Sequence, residues 1–334
     1  MVNISDLHNA SYDVLILGGG VAGLSASIYT TRSGLKTLIV EGELVSNTEV
    51  PGGALMLTES IENFPGYSGS GEGLIEILRK QSEEFGSDKV EALTTTLNVD
   101  VNDDGEASIC ISEFGSDPVT VFGKTVIIAT GAVSKKLGVP GEEEFFGRGV
   151  STCATCDGWA YEGKNVAVVG GGDTAIEDAL YLSRNVNHVD VLVRSHEFRT
   201  NSPESRLLVT QPNVDIHWNT SVSKVNSDEE GKRVASVSLI SEGKKFDKDI
   251  DGIFVAVGRN PNTAFLEGTK VRLDNYGYVI TDHEHRVEVN TNTYAPNIFA
   301  VGDVADAKYV QAITASGDAV KAAIAAYEYI VRGA

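Results

Sequence analysis

The chain has 334 residues, of which 42% are hydrophobic, and its 27 basic and 47 acidic side chains give a net charge of −20. This length fits two domains of ordinary size, each with its own apolar core. The negative field disfavours binding to nucleic acid, and no apolar run approaches the ~20 residues needed to span a bilayer.

The opening residues 1–14 show neither the basic region nor the apolar stretch of a secretory signal. We therefore expect a cytoplasmic protein with no membrane partner. Its three cysteines are too few for a disulfide framework in so long a chain. The acidic excess fits either an ordinary solvated surface or a salt-rich cytoplasm, where a Debye length of ~3 Å at 1 M salt screens self-repulsion.

The first predicted unit spans residues 12–41, where an apolar strand, a glycine turn, a helix and a second strand follow one another. Gly18, Gly20 and Gly23 follow the strand and open the helix, and Glu41 ends the next strand about 20 residues on. This context predicts a dinucleotide site, in which the helix N-terminus faces a pyrophosphate and Glu41 accepts from ribose hydroxyls. The alternative is a tight turn without a ligand.

A second unit repeats this plan later in the chain. Residues 90–132 alternate apolar with polar side chains around an Asp-Asp-Gly turn signal, which predicts a short antiparallel meander. Residues 164–194 then read as strand, glycine turn with Gly170 and Gly172, helix and strand. Because Arg194 follows that strand with no carboxylate to repel a 2′-phosphate, the second site favours NADPH.

The predicted fold is α/β, with two Rossmann-like nucleotide-binding domains that each carry a small antiparallel β-meander. A second alternating stretch at 218–259 supplies the other meander, and a strand, turn and long helix close the chain. One domain is inserted into the other. We place the outer domain at 1–135 and 260–334, and the inserted domain at 136–259, because segments that contain Gly and Pro lie at the two crossings.

The stretch STCATCDG contains Cys153 and Cys156, a pair that can chelate a metal, form a structural clip or shuttle electrons. A structural zinc site needs four ligands, and the chain has no second pair at such spacing, so we predict no metal there. Redox chemistry is the favoured interpretation. Asp157 places a titratable carboxyl beside Cys156, although a turn-capping role is the alternative.

These features together closely resemble the low-molecular-weight thioredoxin reductases, over residues 12–331. The order of the motifs is specific, because the dithiol comes just before the second nucleotide fold, whereas the glutathione reductase type carries it in the FAD domain. The resemblance rests on GGGVAGLSASIYTTRSG, ENFPG, CATCDG, GGGDTAIEDALYLS, NIFAVGDV and QAITASG.

The resemblance implies FAD in the outer domain and NADPH in the inserted domain, with NADH not excluded. The FAD residues that it implies are Gly18, Gly20, Gly23, Glu41, Gly53, Asn63, Ala129, Thr130, Gly131, Gly302, Asp303, Gln311 and Ala312. The NAD(P)H residues that it implies are Gly170, Gly172, Asp173, Thr174, Arg194 and Arg199.

The resemblance also implies roles for the dithiol. Cys156 is the thiol next to the flavin, Cys153 attacks the disulfide of a thioredoxin or thioredoxin-like protein, and Asp157 gives and takes the proton. Because one arrangement cannot serve both flavin and partner, the family rotates its inserted domain. A homodimer is the implied assembly.

Several positions depart from the family pattern. Ala54 stands where Gln is common, and Val310 where Arg is common. The most important departure is VRSHEFR at residues 193–199, where the family has HRRxxxR. Val193 and Ser195 replace a histidine and an arginine of the family's NADPH-binding motif. The alternatives are therefore a related flavoenzyme with another electron donor, with another disulfide substrate or with oxygen as the electron acceptor. A further alternative is a nucleotide-binding regulatory module whose CxxC is vestigial or holds zinc.

Overall fold

The computed structural model describes residues 2–42, 50–58, 60–98, 107–113 and 117–333. The chain forms two compact units, one comprising Met1–Val133 and Asn260–Ala334, the other Ser134–Arg259. The predicted Asp-Asp-Gly turn at 103–105 lies outside the described residues.

The elements follow the predicted chain order. The first segment contains β1 (Ser11–Leu17), α1 (Val21–Arg32), β2 (Thr37–Val40), β3 (Ile61–Phe64), β4 (Tyr67–Gly69), α2 (Gly71–Glu84), β5 (Asp88–Val90), β6 (Leu93–Asn98), β7 (Ala107–Ser112), β8 (Val119–Ile128) and β9 (Ala132–Ser134). The inserted segment contains β10 (Val150–Ser151), α3 (Ala154–Asp157), β11 (Asn165–Val169), α4 (Asp173–Leu182), β12 (His188–Leu192), α5 (Pro203–Leu208), β13 (Val214–His217), β14 (Thr220–Ser227), β15 (Val234–Ser241), β16 (Lys244–Asp249), β17 (Gly252–Val255) and β18 (Arg259–Pro261). The last segment contains β19 (Arg286–Asn290), β20 (Thr293–Ala300) and α6 (Ala312–Arg332).

The larger unit is built on a sheet in the order β19-β20-β8-β1-β2-β5, with β7 paired to β8 and β6 to β7. Strand β1 is parallel to both β2 and β8. Its Leu15 and Leu17 belong to one apolar core, whereas Val14 and Ile16 belong to the core on the opposite face. This burial on both faces explains why β1 is a continuous apolar run.

The long helix α6 covers one face of this sheet. Alanines along it, such as Ala319 and Ala322, share a core with Ala22 and Ala26 of α1, since small side chains let two helices approach closely. The helix ends at Gly333, whose left-handed φ of 61° suits glycine. Within the described residues, α6 included, no helix is long and apolar enough to cross a membrane.

The smaller unit has a parallel sheet in the order β10-β17-β11-β12-β13 and a separate antiparallel sheet β14-β15-β16. Val166 and Val168 of β11 point into one core, and Ala167 and Val169 into the other. The predicted fold class, two Rossmann-like units with meanders, is confirmed.

Candidate active site

The first glycine turn joins β1 to α1. Gly18 has φ 110°, and a Cβ atom there would overlap the carbonyl oxygen of Ala129. A Cβ atom on Gly23 would overlap the carbonyl oxygen of Gly18. Gly20 is the N-cap of α1 and provides no side-chain cap, so the first N–H groups of the helix are available to an anion.

Other predicted FAD residues lie around this turn in the same unit. Gly53 has φ 78°, and a Cβ atom on it would lie 3.5 Å from Gly20 Cα, so the segment around Gly53 lies against the turn. A Cβ atom on Gly20 would have its nearest neighbour 3.6 Å away, so this position leaves space for a cofactor that lies along the backbone. Gly302, in the turn before α6, packs against Ala22, since its Cβ atom would lie 3.3 Å from that side chain.

Two pairs of residues in this unit are joined by polar contacts that involve predicted FAD residues. Asn63 Nδ2 lies 3.5 Å from Gln311 Oε1, and Gln311 caps α6 in a reciprocal box with Thr314. The Thr130 hydroxyl donates to the carbonyl of Asn262 at 2.8 Å, and the Asn262 amide donates back to the Thr130 carbonyl at 2.9 Å. The structure therefore brings Asn63 together with Gln311. Gly131, Asp303 and Ala312 stand beside these residues in the chain.

Glu41 comes directly after β2, and its side chain is fully buried. Arg79 of α2 pairs with its Oε1 atom, and the Lys89 ammonium of β5 lies 3.0 Å from its Oε2 atom. This contact is an ion pair, and among the described residues Oε2 accepts no hydrogen bond. An unused buried acceptor at this position fits a ribose hydroxyl. No motif in the sequence predicts that Arg79 and Lys89 contact Glu41, because both lie on elements that are distant in the chain.

The second glycine turn joins β11 to α4. Gly170 has φ 151°, and a Cβ atom there would overlap the Ala256 carbonyl oxygen. Gly172 caps α4 without a side-chain bond. The Arg199 guanidinium lies over this turn, with Nη2 3.3 Å from where a Gly172 Cβ atom would be. A cation at a helix N-terminus with an open backbone fits a phosphate group.

The remaining predicted coenzyme residues lie at this edge of the sheet. Asp173 and Thr174 are exposed in the first turn of α4, and Arg194 is exposed just after β12. Ser195 donates its hydroxyl to the Glu197 carbonyl at 2.7 Å, so this donor is already used within the loop.

The cysteine pair lies in the smaller unit. Cys153 and Cys156 form a disulfide across the single turn of α3. Both residues are half-buried, so the sulfur atoms are neither locked in a core nor fully exposed.

Ser151, which the sequence analysis did not identify, organises this turn. Its hydroxyl donates to Asp157 Oδ2 at 2.5 Å, and it accepts from the Cys153 backbone N–H at 3.0 Å. The Asp157 N–H in turn donates to the Cys153 carbonyl at 3.1 Å. Ser151 thus joins the predicted proton carrier to the predicted attacking cysteine. A serine two residues before a turn is a weak signal for this role.

Asp178, also absent from the predicted site, lies half-buried on α4. Burial raises its pKa from 3.8 to about 7, with Arg259 opposing the rise and Glu177 adding to it. A raised folded pKa means that the protonated carboxyl favours the folded state at low pH, and that this contribution is lost as the pH rises through about 7.

Asp178→Asn should therefore remove a pH-dependent loss of stability. The difference in unfolding free energy, variant minus wild type, should increase by about 1–2 kcal/mol from about pH 5 to about pH 8, after allowance for partial exposure. Denaturant titrations at the two pH values measure this difference, with Glu229→Gln, an exposed acidic residue of the same unit, as control. An equal difference at both pH values would show that Asp178 keeps an ordinary pKa.

Two glycine-turn units, one of which carries a disulfide in a CxxC turn, define a dinucleotide-dependent disulfide oxidoreductase. The sequence profile of the pyridine nucleotide-disulphide oxidoreductase family matches residues 12–319, and the chain belongs to this family.

Relatives over nearly the whole chain agree with this assignment. A thioredoxin reductase of Streptomyces coelicolor is 36% identical over 332 residues, which cover 98% of this chain and 95% of that protein. NADPH-dependent thioredoxin reductase 3 of Arabidopsis thaliana is 37% identical, but the chain spans only 58% of its length. The resemblance to low-molecular-weight thioredoxin reductases is confirmed.

Solved structures give the same result. Thioredoxin reductase from Giardia duodenalis superposes with a TM-score of 0.87 at 31% identity, covering 97% of this chain and 100% of that one. Thioredoxin reductase from Streptococcus pyogenes has a TM-score of 0.85 at 33% identity, covering 97% and 99%.

Proposed function

We infer that this chain is a thioredoxin-disulfide reductase that uses FAD and NADPH. The observation that carries this inference is the Cys153–Cys156 disulfide, in a unit with its own glycine turn, in a chain that matches thioredoxin reductases over 95–98% of its length. The chemistry that bound FAD would supply is the acceptance of a hydride from NADPH and the transfer of two electrons to a disulfide.

We propose that the larger unit holds FAD. Gly18 allows the turn to lie close to the Ala129 backbone, Gly20 leaves room for the pyrophosphate, and the N–H groups of α1 donate to that pyrophosphate. Glu41 Oε2 accepts from the ribose, while Arg79 and Lys89 compensate its buried charge. Asn63 and Gln311, which meet in the structure, hold the ring end of the cofactor. The other FAD residues named in the sequence analysis complete this site.

The smaller unit is proposed to hold NADPH. The N–H groups at the start of α4 donate to the pyrophosphate, and Arg199 lies over the same turn. Arg194 pairs with the 2′-phosphate beyond the end of β12. Asp173 and Thr174 bound the site in the first turn of α4.

The dithiol chemistry balances as a two-electron exchange. The reduced Cys153 thiolate attacks one sulfur of the thioredoxin disulfide and forms a mixed disulfide, with the other thioredoxin sulfur leaving as a thiolate. Cys156 then attacks Cys153, which releases reduced thioredoxin and restores the Cys153–Cys156 disulfide. Asp157, held by Ser151, takes and returns the proton of the thiol.

We further propose a cytoplasmic homodimer whose inserted unit rotates during turnover, as the family resemblance implies. Analytical ultracentrifugation of the FAD-loaded protein tests the assembly, since a monomeric mass at micromolar concentration would contradict it.

A direct assay tests the proposed function. The FAD-loaded protein should oxidise NADPH only when an oxidised thioredoxin is present, and it should release reduced thioredoxin. Oxidation of NADPH at the same rate without thioredoxin would instead favour oxygen as the acceptor.

The coenzyme preference tests the NADPH site itself. Ser195→Arg should lower the KM for NADPH about tenfold, with little change for NADH, because a guanidinium adds charge-assisted bonds of about 1.5–3 kcal/mol to the 2′-phosphate alone. Arg194→Ala should weaken the preference. Steady-state kinetics with both coenzymes gives the ratio of kcat/KM.

Ser195→Ala is the matched control. Since the Ser195 hydroxyl already donates to Glu197, its removal should leave the ratio nearly unchanged. A wild type that prefers NADH, or a ratio that Ser195→Arg does not move, would show that Arg194 does not bind a phosphate.

A further inference from the structure

A second polar cluster lies in the smaller unit, on strands β12 and β13. These strands are parallel, with Asp190 opposite Asp215. Because side chains alternate along a strand, His188, Asp190 and Asp215 share one face of the sheet. His188 is the first residue of β12, whereas the predicted NADPH residue Arg194 follows its carboxyl end. The cluster therefore lies toward the edge of the sheet opposite the second glycine turn.

The two distances from His188 in this cluster are close to those between neighbouring metal ligands. His188 Nε2 lies 3.5 Å from Asp190 Oδ1 and 3.4 Å from Asp215 Oδ2. In a tetrahedral zinc site with bonds of about 2.0–2.1 Å, neighbouring ligand atoms stand about 3.3–3.4 Å apart. All three atoms lie within 4.8 Å of one another. A single ion can thus reach all three once the exposed Asp215 moves slightly inward.

Burial and charge distinguish this cluster from an ordinary surface pair. The Asp190 side chain is 1% exposed, and its Oδ1 atom lies 2.7 Å from His217 Nε2 and 2.8 Å from Lys248 Nζ. A buried carboxylate is costly unless it is paired, and here Lys248 supplies the balancing charge. Lys248 reaches Asp190 from β16 with 30% of its side chain exposed. Its ammonium can therefore move into water when another cation takes its place.

Space is also available beside the cluster. His188, Asp190 and Lys248 line a polar pocket of about 430 Å³, together with Asn165, Asn187 and Asp249. This pocket has room for a displaced lysine head group and for water. An ion bound by three protein atoms would then have an open position toward solvent, the arrangement of zinc sites that keep one exchangeable ligand.

We propose that His188, Asp190 and Asp215 bind one Zn²⁺ ion per chain, in exchange for the Lys248 ammonium. The imidazole ligand selects zinc over Mg²⁺ and Ca²⁺, which prefer oxygen donors alone. The ion ties β12 to β13 and frees Lys248 of the neighbouring meander. Zinc therefore stabilises the smaller unit by mass action, at a site separate from the dithiol.

Calorimetric titration of the FAD-loaded, disulfide-intact protein with ZnCl₂ tests this proposal. Wild type should bind one zinc ion and melt at a higher temperature in its presence. His188→Gln and Asp215→Asn should each lose affinity by about tenfold or more. Lys248→Met should bind zinc more tightly, because it removes the competing cation. Asp215 is 67% exposed, so its substitution leaves the core intact.

His196→Gln is the matched control, since His196 is an exposed histidine of the same unit whose Nε2 atom lies 3.7 Å from the carboxylate of the neighbouring Glu197. It should bind zinc as wild type does. Co²⁺ loading gives a second readout, because a tetrahedral site shows visible absorption that His188→Gln should abolish. Three results would each overturn the proposal. The first is equal zinc affinity in wild type and His188→Gln, and the second is binding that is lost only in Cys110→Ser. The third is the absence of zinc binding in both wild type and Lys248→Met.

Discussion

Cys153→Ser should reduce the turnover of thioredoxin by about 10³-fold or more, while FAD binding and reduction of the flavin by NADPH continue. The reason is chemical, because a serine hydroxyl cannot attack a disulfide at neutral pH, whereas a thiolate can. Cys156→Ser should stop turnover to the same extent, because the mixed disulfide on Cys153 then has no resolving thiol. Steady-state assays measure the turnover of thioredoxin, and rapid-mixing absorbance measures the reduction of the flavin by NADPH.

The two variants differ in what they trap. After reduction, Cys156→Ser should react with an activated aryl disulfide and keep one half of it on Cys153, which mass spectrometry of the peptide identifies. Cys153→Ser should react more slowly. Cys110→Ser, which changes the half-buried cysteine of β7 that lies outside the disulfide, is the control and should turn over as wild type does. Labelling of Cys156 in preference to Cys153 would reverse the assigned roles, and normal turnover in either variant would remove the dithiol from the reaction.

Asp157→Asn should lower kcat for thioredoxin by about 10²-fold, the usual contribution of a positioned acid or base. Asparagine keeps the shape of the side chain and can still accept from Ser151, but it cannot carry the proton. The pH profile of kcat/KM should lose one titration step. Reduction of the flavin by NADPH should keep its wild-type rate, since that step does not involve this carboxyl.

Ser151→Ala separates position from proton transfer. It removes the hydroxyl that joins Asp157 to the Cys153 N–H, so we expect a loss of about tenfold with the titration step retained. A pH profile in Asp157→Asn that matches wild type would show that Asp157 only caps the turn of α3.

The two nucleotide units were predictable because their signals are local. Continuous apolar strands, glycines at fixed spacing and the start of a helix fall within about 30 residues, and each depends on backbone geometry close by. Gly23 illustrates this, since a Cβ atom there would overlap the carbonyl oxygen of Gly18 in the same turn. The disulfide of Cys153 and Cys156 is likewise a local feature of one helical turn.

The partners of these residues were not predictable, because they come from distant parts of the chain. Glu41 was identified from its place at the end of β2, but Arg79 and Lys89 reach it from α2 and β5. Lys248 reaches Asp190 across the gap between two sheets. Such contacts depend on tertiary packing, which no periodicity in the sequence records.

Strand pairing is a second reason why some contacts could not be predicted from the sequence. Asp190 and Asp215 are opposite each other only because β12 pairs with β13 in one register, and a shift by one residue would point Asp215 to the other face. Ligand patterns at fixed short spacings predict no metal in this chain. They do not register a cluster whose members are joined by a sheet.

One anaerobic single-turnover experiment tests the central claim most directly. The FAD-loaded protein is mixed with two equivalents of NADPH, enough to reduce both its disulfide and its flavin, and then with oxidised thioredoxin, while flavin absorbance and thioredoxin thiols are followed together. We expect the flavin to lose its oxidised absorbance and then regain it, with one thioredoxin disulfide reduced for each NADPH consumed. A flavin that NADPH reduces but thioredoxin cannot reoxidise, with no new thioredoxin thiols, would contradict the account.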